Sequence, residues 1–225
     1  MGDKRYMNRI FHLAFLIFAL ALTTAAQTRN FAQWENDMKA FEAADAKQMP
    51  PRGGIVFIGS SSIRMWTDLA ADFPDKKVIN RGFGGSQIVD STHFADRIVV
   101  PYQPKMVVMY AGDNDLNDGK SPEQVFADYQ AFVEKIRAKL PKVRVAYIAI
   151  KPSPSRAALM PKAAKTNELI KNYSTKKRDL VYIDICTPML GADGQPRREL
   201  FLRDMLHMNR SGYEVWKKAV AEYLK

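Results

Sequence analysis

The stretch GGIVFIGSSSIRMW, residues 53–66, joins a continuous apolar run to three consecutive serines. Ile55–Ile58 carry no polar side chain, which is typical of a strand buried on both faces of a parallel sheet. After Gly59, the next apolar residues take up helix-like spacing through Leu69. The stretch therefore predicts a strand, a sharp turn at Ser60–Ser62 and a helix.

The same alternation continues along the chain. Four more apolar runs rich in Val, Ile and Tyr follow: Val78–Ile79, Met106–Tyr110, Val143–Ile150 and Leu180–Ile185. Helix-period segments lie before and between the runs, among them 31–46 and Ser121–Leu140, the latter with Ser121 as its cap and Pro122 in its first position. Alternating strands and helices imply βαβ units with right-handed crossovers. We therefore predict an α/β fold, a three-layer α/β/α sandwich with about five parallel strands.

The composition is that of one globular domain with a substantial core. Of 225 residues, 47% are hydrophobic and 26% are charged. The formal net charge of +10 is compatible with an anionic partner, but the basic run Lys176–Arg178 reads as a solvated helix end. We expect a basic surface and no nucleic-acid partner, and the sequence gives no indication of the oligomeric state.

The first 26 residues predict a signal peptide. The basic segment MGDKRYMNR precedes the apolar segment IFHLAFLIFALAL, and small residues at Thr24 and Ala26 allow cleavage before Gln27. The apolar segment is shorter than the roughly 20 residues of a comfortable membrane span. We expect export to the periplasm or the extracellular space, one mature domain over residues 27–225 and no stable membrane span after cleavage. The alternative is that the segment is retained as an anchor.

Cysteine and histidine are scarce enough to be informative. Cys186 is the only cysteine, so no intramolecular disulfide is expected, and its apolar surroundings favour a core residue. Outside the signal peptide there are two histidines, His93 and His207, and each has an aspartate three residues before it. An aspartate at that spacing can orient an imidazole that acts as a base. Spacing alone leaves both histidines open, and the loop position of His207 favours it.

Three loops after predicted strands carry groups suited to acyl transfer. A serine in GSSS, at a helix start, can attack a carbonyl when a base takes its proton, although serine is also a common helix cap. The glycine-rich NRGFGGS can aim a backbone N–H into a site, and Asn114 in AGDNDLND offers a neutral amide donor. A calcium loop on the last segment is disfavoured, because Asp118 stands where that template needs glycine and Gln124 where it needs glutamate.

Four short blocks occur in the chain order of a known family. They are GSSS at 59–62, GFGGS at 82–86, GDND at 112–115 and DMLH at 204–207. In these blocks the chain resembles the SGNH hydrolases, also called GDSL lipases and esterases. It is most similar to their platelet-activating-factor acetylhydrolase branch, which also has an N-x-G-x-G-G block. The resemblance covers nearly all of the chain after residue 26 and implies the flavodoxin-like α/β/α fold of that family.

The resemblance implies roles for five residues. GSSS stands where the family has GDSL, which aligns Ser61 with the nucleophile. Asp204 and His207 match the D-x-x-H block as the acid and the base of a catalytic triad. Gly85 and Asn114 match the two oxyanion-hole positions of the family, with the backbone N–H of Ser61 as the third donor.

One position departs from the family pattern. Ser60 replaces the usual aspartate, which is neither the nucleophile nor the base. We expect Ser60 and Ser62 to satisfy the turn and the first helical N–H groups. Trp66, Met65, Phe83 and the KPSPSRAALMP segment either shape an acyl pocket or pack in the core.

The activity implied by the resemblance is that of a serine esterase acting through an acyl-enzyme, without a metal or organic cofactor. Its substrates would be carboxylic esters with small acyl groups, including O-acetyl groups on carbohydrates. Lysophospholipid and thioester hydrolysis fit the same residues. Two alternatives from other classes stay open: a flavodoxin-like module that holds a phosphate at GSSS, and a non-catalytic surface protein that binds anionic glycans.

Overall fold

The computed structural model describes residues 29–224, and the folded unit considered below begins at Phe31. The signal peptide predicted for residues 1–26 lies outside the described residues. None of the helices in the described part of the chain has both the length and the apolar character that crossing a membrane requires.

The centre of the fold is a parallel sheet. Its strands are β1 (Ile55–Gly59), β2 (Val78–Gly82), β3 (Met106–Tyr110), β4 (Arg144–Ile148) and β5 (Leu180–Ile183). They lie in the order β2-β1-β3-β4-β5, and every neighbouring pair is parallel. The chain therefore leaves β1 toward one edge of the sheet and later returns to its other side with β3. Such a reversal opens a crevice at the carboxyl ends of these two strands.

Helices cover both faces of the sheet. The α-helices are α1 (Glu35–Lys47), α2 (Ser61–Arg64), α3 (Leu69–Asp72), α4 (Ile88–Ile98), α5 (Asp113–Asn117), α6 (Pro122–Lys139), α7 (Met160–Ser174), α8 (Cys186–Met189) and α9 (Arg210–Ala221). Short 3-10 helices lie at Phe31–Trp34, Val100–Tyr102, Pro154–Leu159 and Arg198–Leu200. Ser121 caps α6 as expected, accepting a hydrogen bond from the backbone N–H of Gln124.

Alternate strand residues supply two separate cores. Val56 and Ile58 of β1 join the core under α1, α4, α6 and α7, whereas Ile55 and Phe57 point to the core under α3 and α9. This is the alternation that the pleat of a strand imposes. The predicted three-layer α/β/α sandwich with five parallel strands is confirmed.

Several elements end earlier than the sequence predicts, β5 among them, which stops at Ile183. In two of them a side-chain amide replaces the regular pairing. The helix expected after Ser60 breaks into α2 and α3, because Asn80 Nδ2 donates to the carbonyl oxygens of Ile63 (2.7 Å) and Trp66 (3.3 Å). Strand β4 stops before Ile150, whose N–H and carbonyl oxygen pair with the Asn167 side chain at 2.8 and 3.0 Å.

A buried carboxylate ties α3 to α9. Asp72, whose side chain is 4% exposed, accepts from Trp66 Nε1 (2.8 Å) and from Arg210 Nη1 (2.8 Å), and it pairs with Lys217 at 3.2 Å. The hydrogen bonds from Arg210 and Trp66 hold its pKa at about 2, although burial opposes ionisation. Since α9 follows the DMLH block, Asp72 anchors the chain directly after that block.

We expect Asp72→Asn to lower the free energy of unfolding at pH 7 by about 1–3 kcal/mol, because it removes a charge partner from Arg210 and Lys217. The folded pKa lies below the ordinary 3.8. The stabilisation is therefore complete above about pH 4 and is lost as the pH falls through about 2. Urea denaturation at pH 7 and pH 3 should show a smaller difference at pH 3. Asp68→Asn, at the exposed Arg210 contact, is the control and should cost less than about 0.5 kcal/mol. Equal effects of Asp72→Asn at both pH values would contradict this account.

Candidate active site

Ser61 lies where the central strand β1 gives way to α2. Gly59, the last strand residue, has a positive φ of 133°, and a Cβ there would lie 1.9 Å from the carbonyl oxygen of Tyr110. Only glycine fits here, where the turn from β1 to α2 passes close to the backbone of β3. As the first residue of α2, Ser61 has a backbone N–H without an intrahelical acceptor. The turn therefore presents a hydroxyl and a free N–H at the crevice of the sheet.

His207 and Asp204 meet this serine from the far end of the chain. His207 Nε2 lies 3.0 Å from Ser61 Oγ, and His207 Nδ1 lies 2.6 Å from Asp204 Oδ2. Burial opposes ionisation of Asp204, but hydrogen bonds from the His207 ring and from the backbone N–H groups of Leu206 and His207 bring its pKa down to about 2. The carboxylate is thus charged at neutral pH and fixes the tautomer that leaves Nε2 free to accept a proton.

The loop that carries these two residues is held by its backbone. Leu202 N–H donates to the His207 carbonyl oxygen (2.7 Å), and Ser155 N–H donates to that of Met205 (3.0 Å). Met205, between the acid and the base, adopts a φ of 55°, which is uncommon for a residue with a side chain. Such strain is found where the surroundings fix a functional geometry.

His93 takes no part in this arrangement. Its ring stacks on Phe31 with centroids 3.8 Å apart, and its neighbour Asp90 accepts the backbone N–H of Gln87 at 2.7 Å. Spacing in the sequence left both histidines as candidates for the base. The geometry selects His207, because His207 and not His93 contacts Ser61.

The loops after β2 and β3 come together at the edge of the sheet where β1 also ends. Asn114, in α5, donates from Nδ2 to the carbonyl oxygen of Ser86 at 3.0 Å. Gly85, directly before Ser86, has a φ of 74°, and a Cβ there would meet open space, so its positive φ and not crowding requires glycine. The structure therefore joins the glycine-rich turn to the asparagine that the sequence selected, at the edge of the sheet that carries Ser61.

A buried charged cluster stands behind Asn114, and the sequence did not indicate it. Arg156 Nη2 donates to Asn114 Oδ1 at 2.9 Å, and Arg156 Nη1 lies 3.0 Å from Asp113 Oδ2. Lys151 Nζ reaches the same Asp113 oxygen at 3.4 Å and the Tyr110 hydroxyl at 3.1 Å. Burial raises the pKa of Asp113, but the nearby Lys151 and Arg156 outweigh it and lower that pKa, whereas burial lowers the pKa of Lys151. A charged residue directly after an apolar strand, as Lys151 is, was the available signal.

A second buried carboxylate ties α5 to α4. Asp115 accepts the backbone N–H of Ile88 at 3.3 Å and pairs with Lys120 at 2.9 Å. Burial raises its pKa to about 6, and Lys120 only partly opposes that shift. Asp115 is the last residue of the GDND block, so its contacts set the position of that block against the glycine-rich turn.

The two serines that flank Ser61 do not cap the helix. The hydroxyls of Ser60 and Ser62 are buried, and neither has a hydrogen-bond partner within residues 29–224. The Ser60 backbone starts α2 instead, since its carbonyl oxygen accepts from the N–H groups of Ile63 and Arg64. The expectation that their side chains satisfy the turn is therefore wrong, because neither hydroxyl accepts from an N–H group of the turn.

Ser60→Ala should leave the free energy of unfolding unchanged or raise it by up to about 1 kcal/mol, because it removes a buried hydroxyl without a partner. Ser121→Ala, which removes a capping hydroxyl, should lower it by about 1 kcal/mol. Urea denaturation of the two variants side by side measures the contrast. A loss in Ser60→Ala as large as that in Ser121→Ala would show that Ser60 has a bonding role.

Three side chains considered for an acyl pocket pack in the cores instead. Trp66 and Phe83 are buried in the two cores, and Met65 packs against one of them, so core packing accounts for these three.

Cys186 is only partly buried, and its Sγ lies 3.2 Å from the carbonyl oxygen of Ile150. Nowhere in the described residues do three His, Cys, Asp or Glu side chains group so that they could hold a metal ion.

A surface cleft whose lining includes charged side chains adjoins the segment that carries Arg156. Its volume is about 670 Å³, and it is lined by Pro154, Ala157, Gly191, Asp193, Gln195, Pro196, Arg197, Arg198 and Glu199. Neither Ser61 nor His207 is among the lining residues. The cleft is connected to the site through the 3-10 helix Pro154–Leu159, which contributes Pro154 and Ala157 to the cleft and Arg156 to the cluster behind Asn114.

Comparison with known proteins identifies the family of the chain and solved structures with a similar fold. Residues 57–215 match the GDSL-like lipase/acylhydrolase family. Among solved structures, a Streptococcus pneumonia protein assigned as a platelet activating factor superposes with a TM-score of 0.76 at 17% identity, over 86% of this chain and 94% of that chain. A GDSL-like lipase from Bacteroides thetaiotaomicron superposes with a TM-score of 0.71 at 19% identity, over 87% of this chain and 98% of that chain. A carbohydrate esterase family 3 protein from Talaromyces cellulolyticus superposes with a TM-score of 0.61 at 18% identity, over 76% of this chain and 95% of that chain. Among curated proteins none matches this sequence.

Proposed function

Since the chain belongs to the GDSL-like lipase/acylhydrolase family, we propose that it is a serine esterase that removes small acyl groups from carboxylic esters. One observation carries the proposal: the unbroken contact from Asp204 through His207 to Ser61, at 2.6 and 3.0 Å. A module that only held a phosphate at the serine turn would need neither the histidine nor its carboxylate.

Acylation begins when His207 Nε2 takes the proton of Ser61 Oγ and this oxygen attacks the ester carbonyl carbon. The carbonyl oxygen becomes an oxyanion, which accepts hydrogen bonds from the backbone N–H groups of Ser61 and Gly85 and from Asn114 Nδ2. When the ester C–O bond breaks, the leaving alkoxide takes the proton from His207. Asp204 stabilises the imidazolium that exists between these two transfers.

Deacylation repeats the sequence with water. His207 removes a proton from water, the hydroxide attacks the acyl carbon, and the same three donors hold the second oxyanion. The bond from the acyl carbon to Ser61 Oγ then breaks, and His207 returns the proton to that oxygen. The products are a carboxylic acid and a free serine, so the reaction needs no metal or organic cofactor.

For the substrate we propose O-acetyl groups on carbohydrates. The cleft beside the Pro154–Leu159 helix supports this, because its lining includes carboxylates, guanidinium groups and an amide, which can hydrogen-bond to sugar hydroxyls. The structural likeness to a carbohydrate esterase agrees with it. Export through the N-terminal segment would bring the enzyme to extracytoplasmic polysaccharides. A lysophospholipase or thioesterase would use the same triad but would need an apolar channel for its acyl chain.

The test is hydrolysis of p-nitrophenyl acetate and butyrate, together with release of acetate from acetylated oligosaccharides. We expect turnover of the acetate ester with a higher kcat/KM than the butyrate ester, and release of acetate from the sugar. Turnover of butyrate and lysophospholipid in preference to acetate would replace the proposed substrate class. Absence of any turnover would contradict the proposed function itself.

A further inference from the structure

The side-chain amide of Asn114 is held at both ends. A guanidinium can only donate, so the atom facing Arg156 Nη2 at 2.9 Å must be Oδ1. A carbonyl oxygen can only accept, so the atom facing Ser86 at 3.0 Å must be Nδ2. One of the two Nδ2–H bonds is therefore bound to Ser86, and the second is left for a ligand.

Arg156 is itself fixed in place. Its side chain is 16% exposed, and its guanidinium forks between a hydrogen bond from Nη2 to Asn114 and an ion-pair contact of Nη1 with Asp113 that lacks hydrogen-bond geometry. Asp113 also faces the buried Lys151. Within its 3-10 helix, Arg156 alone departs from helical backbone angles, with φ −116° and ψ 28°. A planar two-sided contact of this kind is a property of arginine that lysine does not reproduce.

The charge of Arg156 adds to this effect. Its guanidinium stays protonated in proteins, and it faces both the Asp113 carboxylate and the oxygen of the Asn114 amide. A cation bound to Oδ1 withdraws electron density from the amide and strengthens its N–H donors.

We infer that Arg156 is a positioning residue that fixes and polarises the Asn114 amide, so that its free Nδ2–H points at the developing oxyanion. The inference rests on the proposed function, and it goes beyond that function by assigning a role to a residue outside the triad and the three donors. Arg156 acts through Asn114, so its effect is confined to the transition state and requires Asn114 to be present.

The first test is a double-mutant cycle on an ester that the wild type hydrolyses. Arg156→Ala should lower kcat about 10- to 100-fold with KM nearly unchanged, because a misplaced donor costs about that much. The Asn114→Ala/Arg156→Ala double variant should lie within about threefold of Asn114→Ala alone. The matched control is Arg137→Ala, which removes an arginine paired with Asp179 outside the site, and it should keep wild-type kcat. Wild-type kcat in Arg156→Ala, or a double variant slower by the product of both effects, would overturn the inference.

Two further measurements separate this inference from stability and from the proposed function. If Arg156→Ala does not fold, Arg156→Lys replaces it, because an ammonium can neutralise Asp113 without contacting both Asn114 and Asp113. The kcat of Arg156→Lys should still fall severalfold. An unchanged kcat would show that the two-sided contact of Arg156 is not needed. The second measurement is the NMR signal of the Asn114 side-chain amide, identified by its loss in Asn114→Ala, which needs no turnover. It should be a single sharp pair in the wild type and should shift or broaden in the Arg156 variant. An unmoved signal would overturn the inference even if the protein hydrolysed no ester.

Discussion

Ser61→Ala is expected to lower kcat for ester hydrolysis by about 10⁴-fold or more, because no other group can form the acyl-enzyme. The expected loss is largest here because the serine hydroxyl is the atom that bonds to the substrate. His207→Ala should cause a similar loss, and the double variant should be no slower than either single variant, since nucleophile and base act as one unit. Steady-state kinetics on p-nitrophenyl acetate measure all three.

The neighbouring serine provides the control. Ser62→Ala removes a buried hydroxyl one residue away, without a partner in the described residues, and should keep kcat within about threefold of wild type. If Ser61→Ala retained wild-type turnover while the protein stayed folded, the nucleophile would have been assigned wrongly. A large loss in Ser62→Ala would point to its hydroxyl instead.

Asn114→Ala has the second largest expected effect. Removing one oxyanion donor should lower kcat by about 100- to 1000-fold and leave KM nearly unchanged, because the donor meets its negatively charged acceptor only in the transition state. Asn114→Asp should lower kcat at least as much as Asn114→Ala, since its carboxylate would repel the oxyanion.

Asn117→Ala is the matched control for that series, because Asn117 is the exposed last residue of the same short helix. It should retain wild-type kcat. A fall in Asn117→Ala equal to that in Asn114→Ala would mean that the helix, and not the amide at 114, sustains turnover. A fall in kcat/KM through KM alone would mean that Asn114 binds the substrate without stabilising the transition state.

The sheet was predictable because its central strands β1 and β3 are buried on both faces, which leaves continuous apolar runs in the sequence. The residues at which individual helices and strands end were not predictable. The helix after Ser61 breaks because the Asn80 side chain, remote in sequence, binds two of its carbonyl oxygens. The capping role expected for Ser60 failed because capping depends on the rotamer and backbone angles of the turn, which residue type alone does not determine.

The site was predictable in its members but not in its surroundings. Ser61 and His207 are 146 residues apart, and only the ordered family blocks brought them together, because spacing alone could not exclude His93. The support behind Asn114 comes from Arg156, 42 residues further along the chain, and belongs to no block. Contacts of that kind arise from tertiary packing and leave no local periodicity.

The most direct test of the account is to label the protein with a serine-reactive fluorophosphonate and to locate the adduct by peptide mass spectrometry. Three adjacent serines make this a strict test, because only one of them contacts a histidine. We expect one adduct, on Ser61, which is lost in Ser61→Ala and greatly slowed in His207→Ala. An adduct on Ser60 or Ser62, or labelling that proceeds equally fast without His207, would contradict the assignment of Ser61 and His207 as nucleophile and base.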